Sequence, residues 1–170
     1  MPRKWILINL AWIFLTLNAC GWQLRNSNLL GNDIGSVHVS FSESQATLGI
    51  ELRRALKANQ VQLVGATGSA NYLVKIVDTQ KSRRTSALNT SARAAQYQIH
   101  QTVDYIILDA LGAALTPIAS ASAESTYDFN ELNVLAAKNE ETLLQDNLRL
   151  EIVRQIVHHL SEVSTRKAYE

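Results

Sequence analysis

Residues 95–109 alternate with a period of two. Tyr97, Ile99, Val103, Tyr105 and Ile107 fall on one side, and Gln96, Gln98, His100, Thr102 and Asp104 on the other. Successive side chains of a strand point to opposite faces, so this segment reads as a long strand with one face on a core and one in water. A sheet half-buried in this way must carry another apolar layer on its inner face. The end of the chain supplies one. Leu144, Leu148, Ile152, Ile156 and Leu160 recur every fourth residue, and Val153, Val157 and Val163 widen the stripe. The pattern predicts a helix of roughly six to seven turns. Asn139 is placed to cap it, ahead of Glu140 and Glu141, whose charges suit a helix N-terminus.

The remaining elements fill in between these two. Residues 36–41 alternate as a half-buried strand, and Ser42 or Ser44 can cap the helix that follows. That helix has its apolar stripe at Leu48, Leu52 and Ala55, with Arg53, Arg54 and Lys57 around the opposite side and Asn59 at its end. Residues 61–64 form a short strand and residues 65–69 a turn. A strand runs from Tyr72 toward Arg84, and a turn near Leu111 and Gly112 leads to a partner strand from about Leu115 to Tyr127. Pro117, without an N–H, belongs at a strand start or an edge. The expected fold class is α+β, with two helices packed on one face of a four- to five-stranded, mainly antiparallel sheet. One domain over residues 36–165 and a short tail over 166–170 are expected, as no glycine-rich linker or internal repeat interrupts the chain.

The first twenty residues have a different character. Arg3 and Lys4 precede thirteen residues, from Trp5 to Leu17, broken only by Asn9 and Thr16. A spanning helix needs about 20 apolar residues, so this stretch fits the core of a signal peptide instead. It ends in Leu17-Asn18-Ala19-Cys20, which resembles a bacterial lipoprotein cleavage box. Residues 1–19 are therefore expected to be removed, and Cys20 to carry the lipid. Gly21 in place of Asp fits sorting to the outer membrane, and residues 20–35 read as a lipidated tether. Two or more acyl chains anchor stably, at about 0.8 kcal/mol per buried CH2. The mature chain would have 151 residues and, with Arg3 and Lys4 gone, a net charge of −1.

Composition narrows the function. The whole chain carries 16 Lys and Arg against 15 Asp and Glu, which gives no general electrostatic case for nucleic acid. A single cysteine closes no intramolecular disulfide and builds no thiolate zinc site. No nucleophile elbow, zinc-protease motif, phosphate loop or paired-cysteine motif occurs, so no enzyme activity and no cofactor are expected. His158 and Glu162, four apart, read as a solvated pair near a helix end rather than metal ligands. His38 and His100 read as solvated strand histidines, and Asp104 and Asp109 fall on opposite faces of their strand. The charges are nevertheless sorted. Residues 75–93 hold Lys75, Lys81, Arg83, Arg84 and Arg93 against Asp78, while residues 124–151 hold seven acids against Lys138 and Arg149. Two solvated faces and a basic edge turned to phosphates both fit this pattern.

Three segments carry a family resemblance: Cys20-Gly21-Trp22-Gln23-Leu24-Arg25, the strand entry Ala95-Gln96-Tyr97-Gln98, and Leu135-Ala136-Ala137-Lys138-Asn139-Glu140 before the long helix. With the order of strands and helices, they resemble the lipopolysaccharide-assembly lipoprotein family LptE. The resemblance implies a non-enzymatic protein on the periplasmic side of the outer membrane. Such a protein plugs the lumen of the outer-membrane barrel LptD, assists that barrel's assembly, and contacts lipopolysaccharide on its way to the outer leaflet. Lys138 matches the family's basic position in Ala-Lys-Asn-Glu and becomes a candidate for lipid A phosphate. The competing reading is a loop lysine serving solubility. Arg93 is a second, poorly aligned candidate. Two other functions compete: a lipid-anchored scaffold that binds envelope proteins or cell wall without glycolipid, and a tethered hydrolase using a serine with His100 as base.

Overall fold

The computed structural model describes residues 34–65 and 67–168. Cys20 and the proposed signal peptide and tether up to residue 33 lie outside them. The described chain forms β1 (Ser36–Ser40), α1 (Ala46–Ala58), β2 (Gln62–Leu63), β3 (Tyr72–Leu88), β4 (Ala94–Asp109), β5 (Ala119–Asp128) and α2 (Val134–Ala168). The strands make one sheet in the order β2-β1-β3-β4-β5. β1 is parallel to β2 and β3, and the long strands β3, β4 and β5 are antiparallel. Both helices lie on one face, as the alternation of β4 requires.

Local chemistry sets the element ends. Before α1, the Ser42 N–H donates to Gln45 Oε1 at 3.0 Å. At its end the Asn59 side-chain amide donates to the Ala55 carbonyl at 2.8 Å. Asp109 Oδ1 accepts the N–H groups of Leu111 and Ala113 in the β4–β5 connection, where Gly112 takes a φ of 82° that suits a glycine. Pro117 falls just before β5, an edge strand, as expected.

Four boundaries differ from the sequence expectation: β3 runs on past Arg84 to Leu88, β5 begins at Ala119 and not near Leu115, and the last helix differs at both ends. α2 begins at Val134, not after Asn139, and reaches Ala168, past residue 165. Its cap is Asn130, whose Oδ1 accepts the Leu132 N–H at 2.9 Å and opens a 3-10 turn that leads into the helix. The added turns were hidden because Ala137 is their only buried residue, so no apolar stripe announces them.

Element lengths fix where the core can be. At about 3.3 Å per strand residue and 1.5 Å per helix residue, β4 and α2 each span roughly 50 Å, whereas α1 spans roughly 20 Å. α2 can therefore cover the whole sheet and α1 only one end. The near end, where β1 lies in the sheet and both helices cover it, holds the main core, including Leu52, Val74, Val103, Ile152 and Ile156. The far end has a small separate cluster of Ile99, Tyr127, Ala137 and Leu148, bordered by Tyr97 and Phe129. β1 pairs β3 only through Lys75, so beyond that residue β3 has no strand neighbour on that side among the described residues.

Candidate functional site

A single extra residue in β3 decides what the far end contains. The β3–β4 register shifts between Ile76 and Asp78, leaving Val77 as a bulge. Before it, Val74 and Ile76 face the helices. After it the parity reverses, and Thr79, Lys81 and Arg83 stand opposite Val103, Gln101 and Ile99 on the helix side. A strand with strict alternation would have sent these cations to the open face.

Arg83 meets α2. Its guanidinium donates to Glu141 Oε2 at 3.1 Å and lies 4.7 Å over the Tyr97 ring. The Tyr127 hydroxyl donates to the same carboxylate oxygen at 2.6 Å, and Gln145 donates to Oε1 at 3.1 Å. The Tyr127 bond above all, with Arg83 and Gln145 adding to it against a burial penalty, holds the Glu141 carboxyl below its ordinary pKa. Burial first, then the bond to Glu141, pushes the Tyr127 hydroxyl up. The Arg83 guanidinium is raised by its contacts with Tyr127 and Glu141 and stays charged. Tyr97 stacks edge-on against Phe129, with ring centres 5.1 Å apart.

Two clefts flank this network. One, of about 160 Å³, lies between Lys81, Gln101, Glu141 and Gln145. Gln101, 3 % exposed, is a buried polar residue at this end of the sheet. The other, of about 420 Å³, has Tyr127, Phe129, Val134 and Ala137 along its walls and Lys138 and Thr142 at its rim. Lys138 thus sits in the second turn of α2, not in a loop. It is exposed and makes no ion pair among the described residues. Arg83 is engaged by Glu141 and Arg93 by Glu131 at 2.7 Å, whereas Lys81, which lines the smaller cleft, also makes no ion pair among the described residues. Arg93 ends the β3–β4 turn, where Asn89 Oδ1 accepts the N–H groups of Ser91 and Arg93. Lys138 and Arg93 therefore share the far end of the molecule, but Arg93 does not line the cleft. The two charge sectors of the sequence partly neutralise each other through Arg83–Glu141 and Arg93–Glu131.

His100 lies 3.7 Å from Glu124 and bonds Thr102 at 2.9 Å, and the exposed His158 and Glu162 are 3.4 Å apart. No group of three or more metal-ligating side chains occurs among the described residues. His38 differs from a solvated histidine: its half-buried ring donates from Nδ1 to the Val64 carbonyl at 2.9 Å. Sequence reasoning missed the Arg83–Glu141–Tyr127 network altogether. Its one signal was the pairing of a basic sector with an acidic one, and the bulge that brings them together leaves no mark in the alternation.

Comparison with known proteins agrees with the fold and supplies the family. A family model described as "LptE: Lipopolysaccharide-assembly" matches residues 34–160. The LPS-assembly lipoprotein LptE of Photorhabdus laumondii is 24% identical over 164 residues, covering 96% of this chain and 88% of that one. Among solved structures, a lipoprotein B of Nitrosomonas europaea superposes with a TM-score of 0.72 at 22% identity, covering 85% of this chain and 93% of that one. The rare lipoprotein B of Shewanella oneidensis gives 0.69 at 18% identity, covering 78% and 98%. With a match across most of its length and the same two-helix, one-sheet layout, the chain belongs to the LptE lipopolysaccharide-assembly family.

Proposed function

We propose that this protein is a lipid-anchored component of lipopolysaccharide assembly, attached through Cys20 to the periplasmic side of the outer membrane. It plugs and helps assemble an LptD-type barrel and contacts lipopolysaccharide during insertion. No helix among the described residues is long and apolar enough to cross a membrane, which fits attachment through an acylated cysteine. The polar open face of β4, with Gln96, Gln98, His100 and Thr102, suits a hydrated barrel wall that needs no dry interface. The protein acts by binding, not by catalysis.

Lys138 carries the glycolipid reading. Its ammonium is the unpaired cation at the rim of a cleft with apolar and aromatic walls, the combination an anionic lipid headgroup calls for. Arg93, held by Glu131, would have to exchange that carboxylate for a phosphate and contributes less. A hydrogen bond to a charged group is worth about 1.5–3 kcal/mol, so Lys138→Glu is expected to weaken lipopolysaccharide binding by about tenfold or more. The same variant should keep its circular dichroism spectrum and still co-purify with the barrel, since Lys138 contributes nothing to either core cluster. Unchanged affinity for purified lipopolysaccharide would remove Lys138 from the site. Loss of the barrel alone would move it to the protein interface.

A further inference from the structure

β5 closes one side of the sheet, and its register with β4 runs without a shift from Asp128, opposite Gln96, to Ala119, opposite Tyr105. In an antiparallel ladder the N–H and C=O of one residue point the same way, alternately toward the neighbouring strand and away from it. Phe129 donates to the Ala95 carbonyl at 2.8 Å, so odd-numbered residues turn inward. The peptide groups of Ser120, Ser122, Glu124 and Thr126 therefore point out from the sheet. At Ser122 a substitute already occupies them. The Ser122 N–H donates to Gln155 Oε1 at 3.2 Å, and its carbonyl accepts from Gln155 Nε2 at 3.0 Å. A carboxamide presents the same acceptor–donor pair as a peptide group, so Gln155 of α2 binds the edge as one residue of a sixth strand would. The outward peptide groups of Glu124 and Thr126 have no such partner among the described residues. Exposed edges are commonly blunted by lysine, proline or a bulge, and residues 119–128 contain none of these.

Charge selects the occupant. Glu124 and Asp128 stand four residues apart on the open face. Asp128 accepts from Gln96 at 2.9 Å, and among the described residues Glu124 has only His100, 3.7 Å away. A strand added here places alternate side chains directly beside those carboxylates, where opposite charges attract and like charges repel. A second copy of β5 would set carboxylate against carboxylate in registers centred on Glu124 or Thr126. We propose that the β5 edge takes up an extended basic segment of another polypeptide by strand addition. The segment bonds the peptide groups of Glu124 and Thr126, sets Lys or Arg beside Glu124 and Asp128, and displaces Gln155 from Ser122 where it extends that far.

The test uses the folded protein and two fluorescein-labelled nine-residue peptides, one alternating lysine with valine and the other glutamate with valine. The lysine peptide is expected to bind, read by anisotropy, and to slow amide exchange at Glu124 and Thr126 by tenfold or more. Gln155→Ala should tighten binding several-fold and add Ser122 to the protected amides. The exposed double variant Glu124→Lys, Asp128→Lys should reverse the preference between peptides. Absence of binding, equal binding of both peptides, or protection along residues 79–85 of β3 in place of β5 would overturn the proposal.

Discussion

Gly49 brings the backbone of α1 close against Phe41, which directly follows β1. A Cβ built there would lie 2.2 Å from Phe41 Cδ1 and 2.5 Å from its Cγ, so the whole ring would have to move. The ring also carries the Arg53 guanidinium 4.7 Å over it, while Nη2 donates to the Val39 carbonyl at 3.0 Å. Two effects oppose each other in Gly49→Ala. Helix propensity favours alanine by about 1 kcal/mol, whereas forcing an extra methyl into a packed contact costs about 1–3 kcal/mol. The clash wins because the crowded atom is close to the Phe41 backbone, not at the tip of a free side chain. Gly49→Ala is expected to lower the urea unfolding midpoint by a net loss of about 1 kcal/mol, and adding Phe41→Leu should restore most of it. A single variant more stable than the parent would show that Phe41 moves aside freely. The contact was not legible in sequence, since nothing local encodes which ring lies over the glycine.

At the scale of the element, α2 is one helix with two kinds of support. From Leu148 to Val163 the apolar stripe is buried, and this half was legible in sequence because spacing alone produces it. From Val134 to Gln145 the helix keeps Leu135 and Leu143 exposed and is held mainly by Glu141, through Tyr127, Arg83 and Gln145. The turns from Val134 to Asn139 and the clamp itself were not legible, because a clamp made across three elements leaves no periodic trace. The clamp depends on pH. A carboxyl whose folded pKa is depressed contributes stability that is present above its unfolded value of about 4.3 and is lost as pH falls through the lower folded value. Amides of residues 138–145 are therefore expected to exchange faster than those of 152–160 at neutral pH. Glu141→Gln should accelerate only the former. Lowering the pH below the carboxylate range should reproduce that effect in the parent and change little in the variant, measured as opening free energies with the intrinsic exchange rates divided out. Equal protection of both halves in Glu141→Gln would mean that apolar contacts alone hold the helix.

The whole molecule is a sheet of roughly 50 Å with two helices at one end and one helix at the other, and its stability should be divided accordingly. The fold class, the polar face of β4 and the inner stripe of α2 follow from periodicity, which reports burial wherever burial is regular. Where α1 stops, the interior turns polar at Gln101 and the smaller cleft beside Arg83, and Ala123 packs against both the main core and the far cluster. That division follows from relative element lengths and a bulge, neither of which an alternation pattern contains. Removing a side chain from each cluster tests it. Ile152 is fully buried in the main core, and its change to alanine is expected to cost about 2–5 kcal/mol. Since both helices and β1 depend on that core, the loss should appear equally in the slowest-exchanging amides at both ends. Leu148 belongs to the far cluster, where the neighbouring clefts let the site collapse. Leu148→Ala should cost less and lower protection at residues 97–101 and 125–128, leaving amides of residues 72–76 and 103–107 as slow as before. Equal losses at both ends from Leu148→Ala would establish a single cooperative core, and the far end could then not open without unfolding the rest.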